Sequence, residues 1–139
     1  MTDVHPDVHL DVHEFRITLT VDDFDAAVRL YRDALGLPQV ADWSSDRGRV
    51  LLLDAGRATL ELFDQAQAAM VDDLEVGHRV TGKVRFALQV PDADAAAASL
   101  VGAGATPVAD AVDTPWGDRN ARVAAPDGMQ LTLFSLPAG

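Results

Sequence analysis

The heptapeptide "VDDFDAA" at residues 21–27 recurs as "VPDADAA" at residues 90–96, at an offset of 69 positions. A second match follows in the same order, because "LELF" at residues 60–63 recurs as "LTLF" at residues 131–134, at an offset of 71. Two copies at nearly equal offsets indicate one duplicated unit, whereas a solenoid needs a longer series of copies. The repeat therefore predicts a chain made of two similar halves.

The first copy begins with a strand and continues into a helix. In "FRITLTV" (15–21) apolar and polar residues alternate, which is typical of a half-buried strand. In "DDFDAAVRLYRDALG" (22–36) apolar residues recur at helical spacing, Asp22 or Asp23 can cap the start, and Gly36 can end the helix. The predicted apolar stripe of this helix comprises Phe24, Ala27, Val28, Tyr31, Ala34 and Leu35.

The order of elements is the same in both halves. Each half has a strand and a capped helix, followed by three strand-like segments that end at "LELF" or "LTLFSL". We place an N-terminal arm at residues 1–13, a first module at 14–63, a connector at 64–82 and a second module at 83–136. A short helix in the connector is expected near Asp64. The four parts form one domain, which suits a chain of 139 residues.

One helix per module can cover only one face of a sheet, so the other face must line a cavity or bury against something else. The pattern predicts an α+β fold in which two βαβββ modules form a curved mixed sheet, with helices outside and a hollow inside. The strand positions opposite the apolar stripes point into that hollow. They are Arg16, Thr18, Thr20, Thr59, Glu61, Phe63, Arg85, Ala87, Gln89, Gln130, Thr132 and Phe134.

Composition and charge exclude several classes of function. The formal net charge of −11 disfavours nucleic acid, because such a surface repels the phosphate backbone. There is no cysteine, which removes disulfides and thiolate sites and fits a reducing cytoplasm. The N-terminus shows no apolar signal region, and no apolar run approaches the roughly 20 residues of a membrane helix. We therefore expect a cytoplasmic protein with no membrane partner.

Two longer stretches resemble the vicinal oxygen chelate superfamily, which includes glyoxalase I, extradiol dioxygenases, fosfomycin-resistance enzymes and bleomycin-resistance proteins. They are "TVDDFDAAVRLYRDALGL" (20–37) and "TPWGDRNARVAAPDGMQLTLF" (114–134). Tyr31 before "ALGL" and the "PDG" at 126–128 are typical of the family. The resemblance covers residues 14–136. It implies a small-molecule site and a homodimer, with the site formed either within a chain or across the dimer.

The resemblance also places the metal ligands of the family's enzymes at Arg16, Glu61, Arg85 and Thr132. Only Glu61 is a good ligand, because arginine stays protonated and has no lone pair to donate. A dication about 4 Å from one guanidinium would meet a repulsion of roughly 8 kcal/mol at an effective dielectric near 20. The donor set therefore predicts no bound metal, and we expect no other cofactor.

Two interpretations of Arg16, Glu61 and Arg85 remain open, and both can be true. Glu61 can pair with Arg16 or Arg85 in an ion network, because buried charges need partners. Alternatively, the net charge of +1 on these three residues can bind an anionic or carbonyl-bearing ligand. Thr132 and Gln89 add polar contacts, and the candidate aromatic contacts are Phe63, Trp43 and Trp116.

Two classes of function fit these residues. We place first a metal-independent small-molecule-binding protein of the bleomycin-resistance type, which sequesters an antibiotic or a metabolite. The alternative is an enzyme, such as a lyase, isomerase or hydrolase, with Glu61 as general base and the arginines holding an enolate-like anion. The missing ligands disfavour a metal-dependent glyoxalase or dioxygenase. A binder should saturate without product, whereas an enzyme should turn over and lose activity on Glu61→Gln.

The N-terminal histidines and two arginines of the second module are not among these candidate site residues. The opening "DVHPDVHLDVH" places His5, His9 and His13 at a period of four, but the arm precedes the first strand and does not match the family's ligand positions. We expect an accidental repeat rather than a metal site. Arg119 and Arg122 in "DRNAR" are expected on the solvated surface.

Overall fold

The computed structural model describes residues 11–137 and confirms the predicted α+β class. One curved, unclosed sheet contains eight strands in the order β2-β3-β4-β1-β5-β8-β7-β6. The strands are β1 (Glu14–Thr20), β2 (Gln39–Asp42), β3 (Val50–Asp54), β4 (Thr59–Phe63), β5 (Val84–Gln89), β6 (Thr106–Asp113), β7 (Arg119–Ala124) and β8 (Gln130–Ser135). The helices are α1 (Phe24–Val28), α2 (Gln65–Glu75) and α3 (Ala93–Gly102).

The two modules join through their first strands. β1 pairs antiparallel with β5, while β1 pairs parallel with β4 and β5 pairs parallel with β8. Each module therefore contributes four strands to one half of the sheet, and both halves belong to the same chain. This arrangement places the inward positions of β1, β4, β5 and β8 side by side at the centre of the concave face.

The first helix begins as predicted but changes its winding. The Asp23 side chain caps the start by accepting a hydrogen bond from the Ala26 amide at 3.0 Å. After Val28 the chain continues as a π-helical turn over Arg29–Ala34. The wider turn rotates the next residues away from the core. The predicted stripe is therefore wrong beyond Tyr31, because Ala34 and Leu35 are exposed.

Helices α1 and α3 cover the convex face of the sheet, and each forms an apolar core with its own module. Phe24 and Val28 of α1 pack with Leu53 and Leu62 on β3 and β4. Ala93 and Ala96 of α3 pack with side chains of β7 and β8. No helix within residues 11–137 is long and apolar enough to cross a membrane.

The connector forms a third helix, α2, on the concave face. Asp64 caps it by accepting a hydrogen bond from the Gln67 amide at 2.7 Å. Ala68 and Val71 pack against Val50 and Phe63 of the first module. The other end of α2 contacts the second module through ion pairs described below, so the helix bridges the two halves and closes part of the hollow.

Candidate functional site

The concave face and α2 enclose a cavity of about 660 Å³. Side chains from both modules of one chain line it. The structure brings together every residue that the sequence analysis proposed as a ligand contact, namely Arg16, Glu61, Arg85, Thr132, Gln89, Phe63, Trp43 and Trp116. The lining also includes Glu14, Gln67, Glu75, Ala87, Asp118, Asn120 and Phe134.

Strand register explains why the charged residues meet. Thr18 of β1 pairs with Glu61 of β4 on one side and with Arg85 of β5 on the other, so these three residues form one row across the sheet. In the next row, Ala87 stands between Arg16 and Thr132. Because alanine is small, this central position leaves space above the sheet for the cavity.

Arg16 is already paired with carboxylates. Its guanidinium donates two hydrogen bonds to Glu14, at 2.8 and 3.0 Å, and its Nη1 atom lies 3.7 Å from Glu61 Oε2. Its guanidinium carbon also lies over the rings of Trp43 and Phe134, 5.3 and 4.8 Å from their centres. Burial alone would lower the pKa of Arg16, but the carboxylates outweigh it and raise that pKa.

Glu61 therefore pairs with one of the two arginines. Its Oε1 atom accepts a hydrogen bond from Thr18 at 2.9 Å, and its Oε2 atom faces Arg16. Neither oxygen of Glu61 lies within 4.0 Å of an Arg85 nitrogen. The ion network expected from the sequence thus includes Arg16 and leaves Arg85 outside it.

Arg85 is buried, with 4% of its surface exposed, and it lines the cavity. It donates one hydrogen bond, from Nη1 to Thr132 Oγ1 at 2.7 Å. Among residues 11–137, no carboxylate lies within 4.0 Å of its guanidinium. Burial lowers the pKa of Arg85, yet an arginine side chain remains protonated in proteins. This guanidinium therefore retains unused hydrogen-bond donors beside the cavity.

The four positions that match the family's metal ligands do not fit a divalent cation. Two are guanidiniums, and the only strong donor, Glu61, is engaged by Thr18 and Arg16. The Thr132 hydroxyl is engaged by Arg85. Within the described part of the chain, no group of three or more histidine, aspartate or glutamate side chains is arranged to hold a metal.

The prediction of a solvated Arg122 is wrong, because the residue is completely buried. Its Nη1 atom lies 3.1 Å from Asp72 Oδ1 and its Nη2 atom lies 2.6 Å from Glu75 Oε1. Asn120 donates a hydrogen bond to the other oxygen of Glu75 at 2.8 Å. The two acids belong to α2 and the two partners to β7, so the pairs fix the helix across the cavity. Arg119 is half-exposed, as expected.

Asp72 accepts further hydrogen bonds from the connector. Thr81 donates through its hydroxyl at 2.6 Å and its amide at 2.8 Å, and the Val80 amide donates at 2.9 Å. Burial by itself would raise the pKa of Asp72, but these bonds and the Arg122 charge lower it to about 2. Asp72 is therefore ionised throughout the physiological range.

The open side of the cavity carries aromatic and acidic side chains. Trp43 and Trp116 are 50% and 46% exposed. Asp118 is half-buried. Burial raises its pKa, and this effect exceeds the lowering that the Arg16 charge produces. The ionisable lining residues are Glu14, Arg16, Glu61, Glu75, Arg85 and Asp118, four acids against two arginines, which gives a formal charge of −2.

Several lining residues were not among the predicted ligand contacts. Glu14 lies two residues before Arg16 on the same strand face, so the alternation that identified Arg16 could have identified it too. Asp118 follows Gly117 in a turn, where no periodicity applies. Glu75 could be placed only once the position of α2 was known.

Two of the three N-terminal histidines, His5 and His9, lie outside the described residues. His13 is exposed, and its backbone amide donates to the Gln89 carbonyl at 2.9 Å.

Comparisons with known proteins agree with this architecture. A family model described as the Glyoxalase/Bleomycin resistance protein/Dioxygenase superfamily matches residues 15–133. No curated protein sequence matches the chain.

Three solved structures illustrate the structural likeness. A hypothetical protein from Bacillus halodurans C-125 is 14% identical with a TM-score of 0.66, over 89% of this chain and 94% of that chain. Methylmalonyl-CoA epimerase from Mycobacterium tuberculosis is 24% identical with a TM-score of 0.63, over 92% and 90%. A variant Streptomyces coelicolor methylmalonyl-CoA epimerase in complex with 2-nitronate-propionyl-CoA is 22% identical with a TM-score of 0.65, over 94% and 100%. At these identities the likeness shows the fold alone.

Proposed function

The chain belongs to the Glyoxalase/Bleomycin resistance protein/Dioxygenase superfamily, and from that premise we propose that its cavity binds a small organic molecule through an anionic or carbonyl oxygen at Arg85. The observation that carries the proposal is the state of Arg85. This guanidinium is buried beside the cavity, and no carboxylate of the described residues lies within 4.0 Å of it. A buried cation needs a partner, and a planar guanidinium can bind a carboxylate or carbonyl with two parallel hydrogen bonds.

Binding in this proposal does not use a divalent metal, because the family's ligand positions hold two arginines and a threonine. The leading form is stoichiometric sequestration of an antibiotic or metabolite, as in the bleomycin-resistance branch. The cavity volume of about 660 Å³ falls within the range of drug-sized sites.

An aromatic carboxylate tests the proposal. We expect 4-propylbenzoate to bind wild-type protein in titration calorimetry, and Arg85→Gln to weaken binding by about tenfold or more, because charge-assisted bonds are lost. Arg85→Lys should recover part of the affinity, because the charge remains while the fork geometry is lost. Lys83→Gln removes one exposed positive charge nearby and is the matched control. Equal affinity in wild type and Arg85→Gln would overturn the proposal.

Catalysis is the second candidate, and one observation favours it. Glu61 lines the same cavity and lies in the same strand row as Arg85, so a carboxylate base and a guanidinium face one space. Glu61 would remove a proton next to a carbonyl while Arg85 stabilises the enolate oxygen.

Proton exchange distinguishes turnover from sequestration. We would incubate the protein with methylmalonyl-CoA, the compound in the name of the similar epimerases, in deuterium oxide and follow loss of the α-proton by NMR. An enzyme of this kind should exchange the proton, and Glu61→Gln should slow exchange by about 100-fold or more. Exchange no faster than in buffer would exclude methylmalonyl-CoA as a substrate, and sequestration would remain the proposed function.

The homodimer and the cytoplasmic location expected from the sequence remain part of the proposal. Residues of both modules of one chain line the cavity, which supports a ligand site formed within a single chain. Light scattering of the purified protein measures the oligomeric state.

A further inference from the structure

Given the anion site proposed at Arg85, we infer that the cavity takes a ligand with two charged ends: an anionic group at Arg85 and a cationic group among the carboxylates around Arg16, with a flat apolar body between them. The inference rests on the proposed function, and it names the chemical class of the ligand.

Negative charge is in excess around Arg16, whose carboxylate neighbours range from half-buried Glu14 to buried Glu61. Glu14 lies 2.8 Å from its guanidinium and Glu61 lies 3.7 Å away. Asp118 lines the same cavity, beyond 4.0 Å from the Arg16 guanidinium and without an ion pair among the described residues. The three carboxylates and the one guanidinium together carry a formal charge of −2. An ammonium group would reduce that repulsion and supply the donors that carboxylates accept.

At the floor, Arg85 forms no ion pair with α2, because the acid of that helix that attracts it is held by other partners. Glu75 is engaged by Arg122 at 2.6 Å and by Asn120 at 2.8 Å. It lines the cavity and attracts Arg85 electrostatically, but it does not form an ion pair with it. The buried pairs between α2 and β7 therefore keep Arg85 available to a ligand.

Apolar and aromatic side chains separate the two ends. Trp43 and Trp116 flank the mouth, while Phe63 and Ala87 are buried at the floor. Aromatic faces favour stacking with a flat body. A ligand with charge of one sign would leave one end of the cavity unmatched, so the arrangement selects for a molecule that carries both signs.

Three pairs of probes test the inference. The amino acids are 4-(aminomethyl)benzoate, 4-(2-aminoethyl)benzoate and 4-(3-aminopropyl)benzoate. Their counterparts are 4-ethylbenzoate, 4-propylbenzoate and 4-butylbenzoate, in which a methyl group replaces the ammonium. The series varies the distance between the charges, so a mismatch of one length does not decide the result. Affinities are measured by titration calorimetry at neutral pH.

We expect at least one amino compound to bind about tenfold more tightly than its alkyl counterpart. Asp118→Asn should remove most of that preference, because one of the carboxylates that attract the ammonium group loses its charge. Asp113→Asn removes one charge from an exposed aspartate, 81% exposed at its side chain, and should leave the preference intact.

The outcomes separate this inference from the proposed function. If every amino compound binds no more than about twofold more tightly than its counterpart, or if Asp118→Asn leaves the preference unchanged, the two-ended ligand is wrong. The Arg85 site still stands in that case, provided that the alkyl compounds depend on Arg85. If Arg85→Gln does not weaken the alkyl compounds, the proposed function itself has failed.

Discussion

Three arginines on the concave face differ in their partners, and the difference decides which of them is available to a ligand. Arg122 contacts two carboxylates, and Arg16 contacts Glu14 directly with Glu61 close by. Arg85 lies over the Phe63 ring and, among the described residues, donates a hydrogen bond only to the Thr132 hydroxyl. Because removing a guanidinium from water costs several kcal/mol without a compensating partner, we interpret Arg85 as the residue whose partner is the ligand.

The cavity depends on the small side chain at Ala87. We expect Ala87→Leu to fill the space between Arg16 and Thr132 and to weaken 4-propylbenzoate binding by more than about tenfold. The free energy of unfolding should change by less than about 1.5 kcal/mol, because the leucine occupies an existing hollow. Ala98→Leu on the exposed side of α3 is the control and should bind normally. Unchanged affinity in Ala87→Leu would show that the probe binds elsewhere.

Arg122 should be far more important for stability than Arg119 on the same strand. Arg122→Met removes the one cation that pairs with both buried acids, leaving Asp72 to Arg79 and Thr81 and Glu75 to Asn120, which should cost about 3–5 kcal/mol of unfolding free energy. Arg119→Met removes half-exposed ion pairs and should cost less than about 1 kcal/mol. Urea denaturation of both variants measures the difference. Similar losses in the two variants would contradict the assignment of Arg122 to the buried core.

At the scale of elements, α2 determines the shape of the cavity, and its position depends on close approach to the β2–β3 turn. A Cβ atom on Gly48 would lie 2.5 Å from Gln67 Cα and 2.7 Å from Gln67 Cβ. Gly48 thus allows the turn to contact the first turn of α2, and a side chain there would push the helix away.

We therefore expect Gly48→Ala to destabilise the protein by about 1–3 kcal/mol, because the methyl group meets helix backbone that has little room to shift. Gly82→Ala is the matched control, since a Cβ at that position has nothing within 4 Å. Thermal unfolding of both variants measures the effect. A Gly48→Ala melting temperature equal to that of Gly82→Ala would mean that α2 is not seated against the turn.

Elements with a local signal could be predicted from the sequence. The alternation of apolar and polar residues identified β1. Asp23 caps the start of the first helix, and Gly36, with a positive φ, lies where the helical segment ends. The π-helical turn after Val28 has no such signal, so helical spacing alone wrongly predicts that Ala34 and Leu35 are buried. The pairing of Arg122 with Asp72 joins residues 50 positions apart, and neither neighbourhood contains a pattern that indicates the other. The strand residues that point into the cavity could be predicted because successive side chains of a strand alternate between its two faces. The partner of each charged side chain depends on tertiary packing and could not.

At the scale of the whole molecule, the two modules and α2 are held together by a buried ionic cluster, so folding should be sensitive to acid. The pKa of Asp72 is lowered to about 2 in the folded protein, against an ordinary value of about 3.9. A lowered carboxyl pKa stabilises the fold fully above the ordinary value, and the contribution is lost as pH falls toward the folded value.

Asp72→Asn tests this linkage. At pH 6 the loss of the charge alone should make the variant's free energy of unfolding lower than that of wild type by on the order of 1–2 kcal/mol. Below about pH 4 wild-type stability should fall more steeply than that of the variant, so the difference narrows. Urea denaturation at several pH values measures this difference in the free energy of unfolding. A difference that stays constant from pH 6 to pH 3 would contradict the role of Asp72.

The central claim is that Arg85 receives the anionic or carbonyl oxygen of a ligand in the cavity, and a crystal structure of the complex with 4-propylbenzoate tests it most directly. We predict that both carboxylate oxygens lie about 3 Å from the Arg85 guanidinium, with the ring in the space above Ala87. A carboxylate bound at another residue, or a complex in which the cavity holds no probe at saturating concentration, would contradict the claim.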